Sequence, residues 1–96
     1  MKTAEKVVRR MIRELKKAGW RVCAVDDGEG NIPVITERDA MDAVFGVEYA
    51  TVKFIKGGKI EAVLVIPCNE EDAISDFTLN TKEFEAAMDR LMDAVV

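Results

Sequence analysis

Apolar residues recur at helical spacing near the start of the chain. At about 100° per residue, Ala4, Val7, Val8, Met11, Ile12, Leu15 and Ala18 share one arc, and Lys2, Lys6, Arg9, Arg10, Arg13, Lys16 and Lys17 share the opposite one. The pattern predicts a helix capped at Thr3 and stopped at Gly19, with one side in the core and a basic stripe on the other. A second stripe, Phe84, Ala87, Met88, Leu91, Met92 and Val95, predicts a long helix at the other end. Asn80 is its expected cap, Glu83 completes a capping-box-like pattern, and Leu79 with Phe84 is the expected hydrophobic staple.

Between these helices the period shortens. Trp20 to Val25 reads as a strand, with Trp20 in the core, closed by the turn residues Asp26 to Asn31. Asn31 to Ile35 is a candidate return strand that Pro33 would confine to an edge. Thr36 to Asp39 carries the N-cap pattern of a short helix through Phe45, burying Ala40, Met41 and Val44 and ended by Gly46.

Val47 to Ile55 and Lys59 to Ile66 flank Lys56-Gly57-Gly58, a hairpin signal. A two-residue Gly57-Gly58 loop would set Phe54 opposite Glu61 and mix polar with apolar side chains on both faces. A three-residue loop pairs Phe54 with Ile60, Val52 with Ala62, Ala50 with Leu64 and Lys53 with Glu61, giving one wholly apolar face. The three-residue loop is therefore expected. It leaves Tyr49, Ile55, Val63 and Val65 on the reverse face, to be covered in part by the short helix or by a second subunit. Pro67 ends the strand, and Cys68 to Thr78, with Glu70, Glu71, Asp72 and Asp76, reads as an acidic loop with a helical turn near 70–74. The expected fold is α+β. A small antiparallel sheet of three or four strands, in the order α-β-(β)-α-β-β-α, carries the N- and C-terminal helices on one face, and 96 residues amount to one domain.

Charge changes this picture more than composition does. Residues 1–21 hold eight Lys/Arg against Glu5 and Glu14, a net of +6, and residues 22–96 hold six against sixteen, a net of -10. Such a division suits contact with nucleic acid, or attraction between parts of one fold. The longest strongly apolar run, Ala62 to Ile66, is far below the roughly 20 residues that span a bilayer, so no membrane partner is expected. Cys23 and Cys68 form neither a CxxC pair nor a metal cluster and fit free thiols in a cytoplasmic protein. For Cys68 the expected role is that of a small, partly buried hydrophobe.

The chain has no histidine, which removes the usual general base and the Ser-His and Cys-His arrangements. Asp26, Asp27 and Glu29 invite comparison with a calcium loop, but Ile32 stands where that loop needs glycine and Arg38 where it needs its last glutamate. The glycine-rich pieces lack the phosphate-loop and dinucleotide spacings. A glutamate-bearing helix followed by Gly19-Trp20-Arg21-Val22 resembles the opening of restriction-type nucleases. The Asp and Glu-x-Lys expected on adjacent strands are missing, since Glu14-Leu15-Lys16 lies in the helix. No catalytic residue, metal ligand or cofactor site is expected. The expected function is a non-enzymatic interaction or regulatory protein that binds a protein partner through charged surfaces, with a homodimer as a further possibility. The basic candidates are Lys6, Arg9, Arg10, Arg13, Lys16 and Lys17, which also carry the alternative, a nucleic-acid-binding domain. The acidic candidates are Glu70, Glu71, Asp72 and Asp76.

Overall fold

The computed structural model describes residues 3–95, with side chains from 3 to 93. Lys2 and the side chain of Val95, both placed on helical arcs above, lie outside that description. The elements follow as α1 (Thr3–Lys17), β1 (Arg21–Asp26), β2 (Asn31–Pro33), α2 (Glu37–Val44), β3 (Ala50–Lys56), β4 (Lys59–Val65), β5 (Ile74–Phe77) and α3 (Lys82–Val95). Every strand pairing is antiparallel, in the order β2-β1-β3-β4-β5. The class is the expected α+β, with five strands instead of three or four.

The periodic stripe of α1 is buried as predicted at Ala4, Val8, Met11, Ile12 and Leu15. Its end is a Schellman motif: Trp20 N–H donates to the Leu15 carbonyl at 2.8 Å and Gly19 N–H to that of Lys16 at 3.0 Å, with Gly19 at φ +93°. This turn drops Trp20 into the core at 1% exposure. Thr36 caps α2 by accepting from Asp39 N–H at 3.1 Å, again as predicted.

α1 touches both α2 and α3 and lies between them. Arg9 and Arg13 reach Glu37 on α2, while Arg10 and Glu14 adjoin Ala87, Arg90 and Leu91 on α3. The buried side chains of all three helices and of the inner sheet face form one cluster. α2 thus packs beside α1, where its stripe of Ala40, Met41 and Val44 finds apolar partners, and it does not cover the reverse face of the sheet.

The hairpin departs from expectation. Lys56 pairs with Lys59, Phe54 with Glu61, Val52 with Val63 and Ala50 with Val65, so the loop is the two residues Gly57-Gly58. Both glycines have positive φ, +57° and +79°, as a type I′ turn requires, and that turn matches the twist of the flanking strands. The inner face therefore holds Val63, Val65 and Glu61, while Ile60, Ala62 and Leu64 join Ile55 on the reverse face. An apolar-only face was the wrong criterion, because Glu61 finds hydrogen-bond partners inside.

The acidic loop of the sequence reading shrinks to make room for β5. Ile74 pairs with Val65 and Phe77 with Val63, and a bulge at Leu64/Val65 takes up Ser75, so the two apolar residues face the core across three positions instead of two. That irregularity hides the strand from any period-two test. The staple fails as well: Leu79 is 60% exposed, and Phe84 instead meets Trp20 edge-on at 5.1 Å and lies 6.3 Å from Phe54 and 6.5 Å from Phe77.

Candidate functional site

Because α1 is the middle helix, its outer arc forms the crest of the helix layer. Lys6, Arg10, Arg13, Lys16 and Lys17 are exposed there, and Arg9 is half-buried on the side facing α2. The sequence-predicted stripe is one continuous ridge, but its cations are not equivalent. Arg13 grips Glu37 with Nε to Oε1 at 2.6 Å and Nη2 to Oε2 at 3.1 Å, a bidentate pair that raises the arginine pKa by hydrogen bonding and by charge. Arg9 Nη1 reaches the same carboxylate at 3.4 Å, and Arg9 Nε is buried with no hydrogen-bond partner. Lys17 lies 3.4 Å from Glu14. Among the described residues, Lys6, Arg10 and Lys16 make no ion pair. The free cations of the ridge are therefore these three.

The ridge is one helix wide. On its flanks, Asp42 of α2 lies beside Arg9, and Arg90 of α3 lies beside Arg10 and Glu14.

The acidic candidates do not form one array. Glu70 is spent internally: its Oε2 accepts Ala4 N–H at 2.9 Å, in the first turn of α1. Glu71 and Asp72 are exposed in the segment between β4 and β5, where Asn69 Oδ1 accepts Asp72 N–H at 3.1 Å. Asp76 is on β5, paired with Leu64. Asp26 and Asp27 serve the turn they belong to, accepting from Gly28 N–H and from Glu29 and Gly30 N–H at 2.9 to 3.1 Å. Among the described residues no group of three His, Cys, Asp or Glu side chains is placed to hold a metal ion. Cys68 is exposed, not the partly buried hydrophobe expected, and Cys23 is half-buried with its thiol donating to the Lys53 carbonyl at 3.5 Å. No described helix is long and apolar enough to cross a membrane.

Two polar residues do structural work that the sequence reading assigned otherwise: Glu61 was expected opposite Lys53, which instead pairs with Ala62, and Lys56 was expected in the hairpin loop. Glu61, 1% exposed, accepts Thr81 N–H at 2.8 Å and the Thr81 hydroxyl at 2.9 Å through Oε2, and Asn80 N–H at 3.3 Å and the Thr78 hydroxyl through Oε1. Burial pushes its pKa up, but these four donors pull it down further, so the carboxyl stays below the ordinary glutamate value. Thr81, not Asn80, is then the cap of α3, its hydroxyl accepting from Phe84 N–H at 3.2 Å. Lys56, beside the hairpin, donates to the Ala18 carbonyl at 3.1 Å and to Glu83 Oε2 at 2.8 Å, tying the end of α1 to the start of α3. The only hint of Glu61 was its isolation as a charge between Ile60 and Ala62, with threonines at 78 and 81 ahead of a helix.

No family model matches this chain, and neither a curated protein nor a solved structure does.

Proposed function

We propose that the chain is a small, single-domain, non-enzymatic interaction protein of the cytoplasm that binds an acidic segment of a protein partner along the crest of α1. The observation that carries this reading is the exposed row Lys6, Arg10 and Lys16, free of ion pairs among the described residues, on the middle helix of the layer. A field of one sign steers an oppositely charged partner and fixes its register. The width of the ridge selects the partner. An acidic helix, about 10–12 Å across, lies on one crest, whereas a nucleic-acid duplex is wider and reaches α2 and α3, each of which carries more carboxylates than cations. The open reverse face of the sheet, with Ile55, Ile60, Ala62 and Leu64, is where a second copy would pack in a homodimer.

The test compares a polyglutamate peptide with a DNA duplex at low salt. The peptide is expected to bind with an affinity that falls as salt rises, and Lys6→Glu with Arg10→Glu should abolish binding while leaving the unfolding midpoint in place. These positions are preferred to Arg9 and Arg13, whose reversal would set new glutamates against Glu37. Duplex binding tighter than peptide binding, sensitive to the same changes, would replace this reading with the nucleic-acid one.

A further inference from the structure

The fold sorts charge along the strand axis, an order that the chain sequence conceals. Asp26 pairs with Thr51, Ala50 with Val65 and Val65 with Ile74, so the turn after β1, the 45–49 segment after α2 and the 66–73 segment before β5 meet at one end of the sheet. The first turn of α1 joins them through Ala4 and Glu70. Asp27, Glu48, Glu70, Glu71 and Asp72 gather here, while Lys16, Lys17, Arg21, Lys56 and Lys59 lie toward the hairpin end. α2 also finishes at the acidic end with no basic residue in its last turn.

An open apolar groove of about 600 Å³ lies within this acidic end, bordered by Phe45, Val47, Glu48, Tyr49, Ile66 and Cys68. Tyr49 is 59% exposed, and among the described residues no lysine or arginine lines the groove. We propose that the groove docks a basic amphipathic segment of a partner protein. One apolar side chain of the segment sits between Phe45, Tyr49 and Ile66, and flanking lysines or arginines face Glu48, Glu71 and Asp72. The apolar floor alone would take any greasy group and the acidic surround any cation; together they select a chain that carries both. A cation over Tyr49 or Phe45 gains further from the ring face. The groove adjoins Arg9 of α1 at Phe45 and Gly46, but its test involves neither Lys6 nor Arg10 and does not depend on that reading.

Cys68 on the rim supplies the readout. A synthetic helix-forming Lys/Leu peptide is expected to slow alkylation of Cys68, followed by mass spectrometry of the Cys68 fragment, while a Glu/Leu peptide does not. Tyr49→Ala should raise the half-protecting concentration about tenfold, as removal of an aromatic anchor does, and Glu48→Lys should do so while weakening the salt dependence. Both positions are exposed, so the unfolding midpoint should stay put. Absence of protection by the Lys/Leu peptide at low salt overturns the proposal, as does equal protection by the Glu/Leu peptide. So does protection by oligolysine that ignores Tyr49→Ala. Protection that grows with protein concentration in the absence of peptide would assign the groove to a second copy of the chain and likewise overturn it.

Discussion

Two helices of this protein begin against a glutamate delivered from the sheet side of the fold. At the start of α3, Glu61 is fully enclosed, uses both oxygens and takes four donors. At the start of α1, Glu70 is exposed and, among the described residues, takes one, Ala4 N–H. In both, a carboxylate sits at the positive end of the dipole and accepts backbone N–H groups where a helix begins, that of Ala4 in α1 and those of Asn80 and the cap Thr81 ahead of α3. What differs is the alternative available when the glutamate is removed. Water can replace Glu70 at once, whereas nothing can replace Glu61 without opening the packing of Phe84 against Trp20 and Phe54. An enclosed cap is part of the core, and an exposed one is an adjustment to it.

The largest effect is therefore expected from Glu61→Ala. It leaves two backbone N–H groups and two hydroxyls short of an acceptor, and at about 1–3 kcal/mol for each buried donor left unmade, roughly 3 kcal/mol or more of stability should go. Chemical denaturation measures it. A loss below about 1 kcal/mol would mean that the site admits water and that the contrast with Glu70 is false.

Acid should reach Glu61 by another route. Its folded pKa is lowered from 4.5, so its stabilisation is complete above that value and is lost as pH falls below it toward the folded pKa. Denaturation midpoints followed from neutral pH into the acid range should fall, and Glu61→Gln should flatten the part of that fall due to this group. Glu83 is also lowered, by its hydrogen bond and charge interaction with Lys56, but it is 66% exposed and contributes in the same direction more weakly. Parallel acid limbs in wild type and Glu61→Gln would remove Glu61 as the titrating group.

The contrast also explains what could be read beforehand. Stripes of one period were legible: α1 with its stop at Gly19, α2 with its cap at Thr36 and the apolar arc of α3 all follow from spacing of 3.6 and from end residues. The α1 crest was legible for the same reason, since the side of a helix opposite its core stripe must face outward. The missed features involve residues that answer to partners far along the chain. Glu61 seemed to forbid the two-residue loop because its acceptors' donors sit 17 to 20 residues away, at Thr78, Asn80 and Thr81. β5 was masked by its bulge and by the acidic run before it. The acidic end and its groove come from three loops that only the sheet register brings together.

Glu70→Ala should be milder than any change at Glu61, about 0.5–1 kcal/mol as for an exposed cap, and it should fray the first turn of α1 rather than the whole molecule. Hydrogen exchange at the first amides of α1 is the suitable probe. Equal acceleration throughout α1 and β3 would mean that Glu70 supports the global fold.

The smallest effect is expected from Glu70→Gln, and the same conservative change at Glu61 gives the sharpest division between the two caps. Glu70→Gln keeps a carbonyl oxygen for Ala4 N–H, the single donor there among the described residues, and loses only a solvent-screened charge at the helix start, so stability should move by a few tenths of a kcal/mol and less at high salt. Glu61→Gln keeps the same shape but turns one acceptor into an NH2 donor. Each Glu61 oxygen already receives two donors, so whichever way the amide is turned, its nitrogen faces a hydroxyl and a backbone N–H. One of those hydroxyls can rotate away, but the N–H cannot, and a loss well above 1 kcal/mol should remain. Equal losses at the two positions would show that charge at the helix start, and not the count of buried donors, sets the strength of these caps.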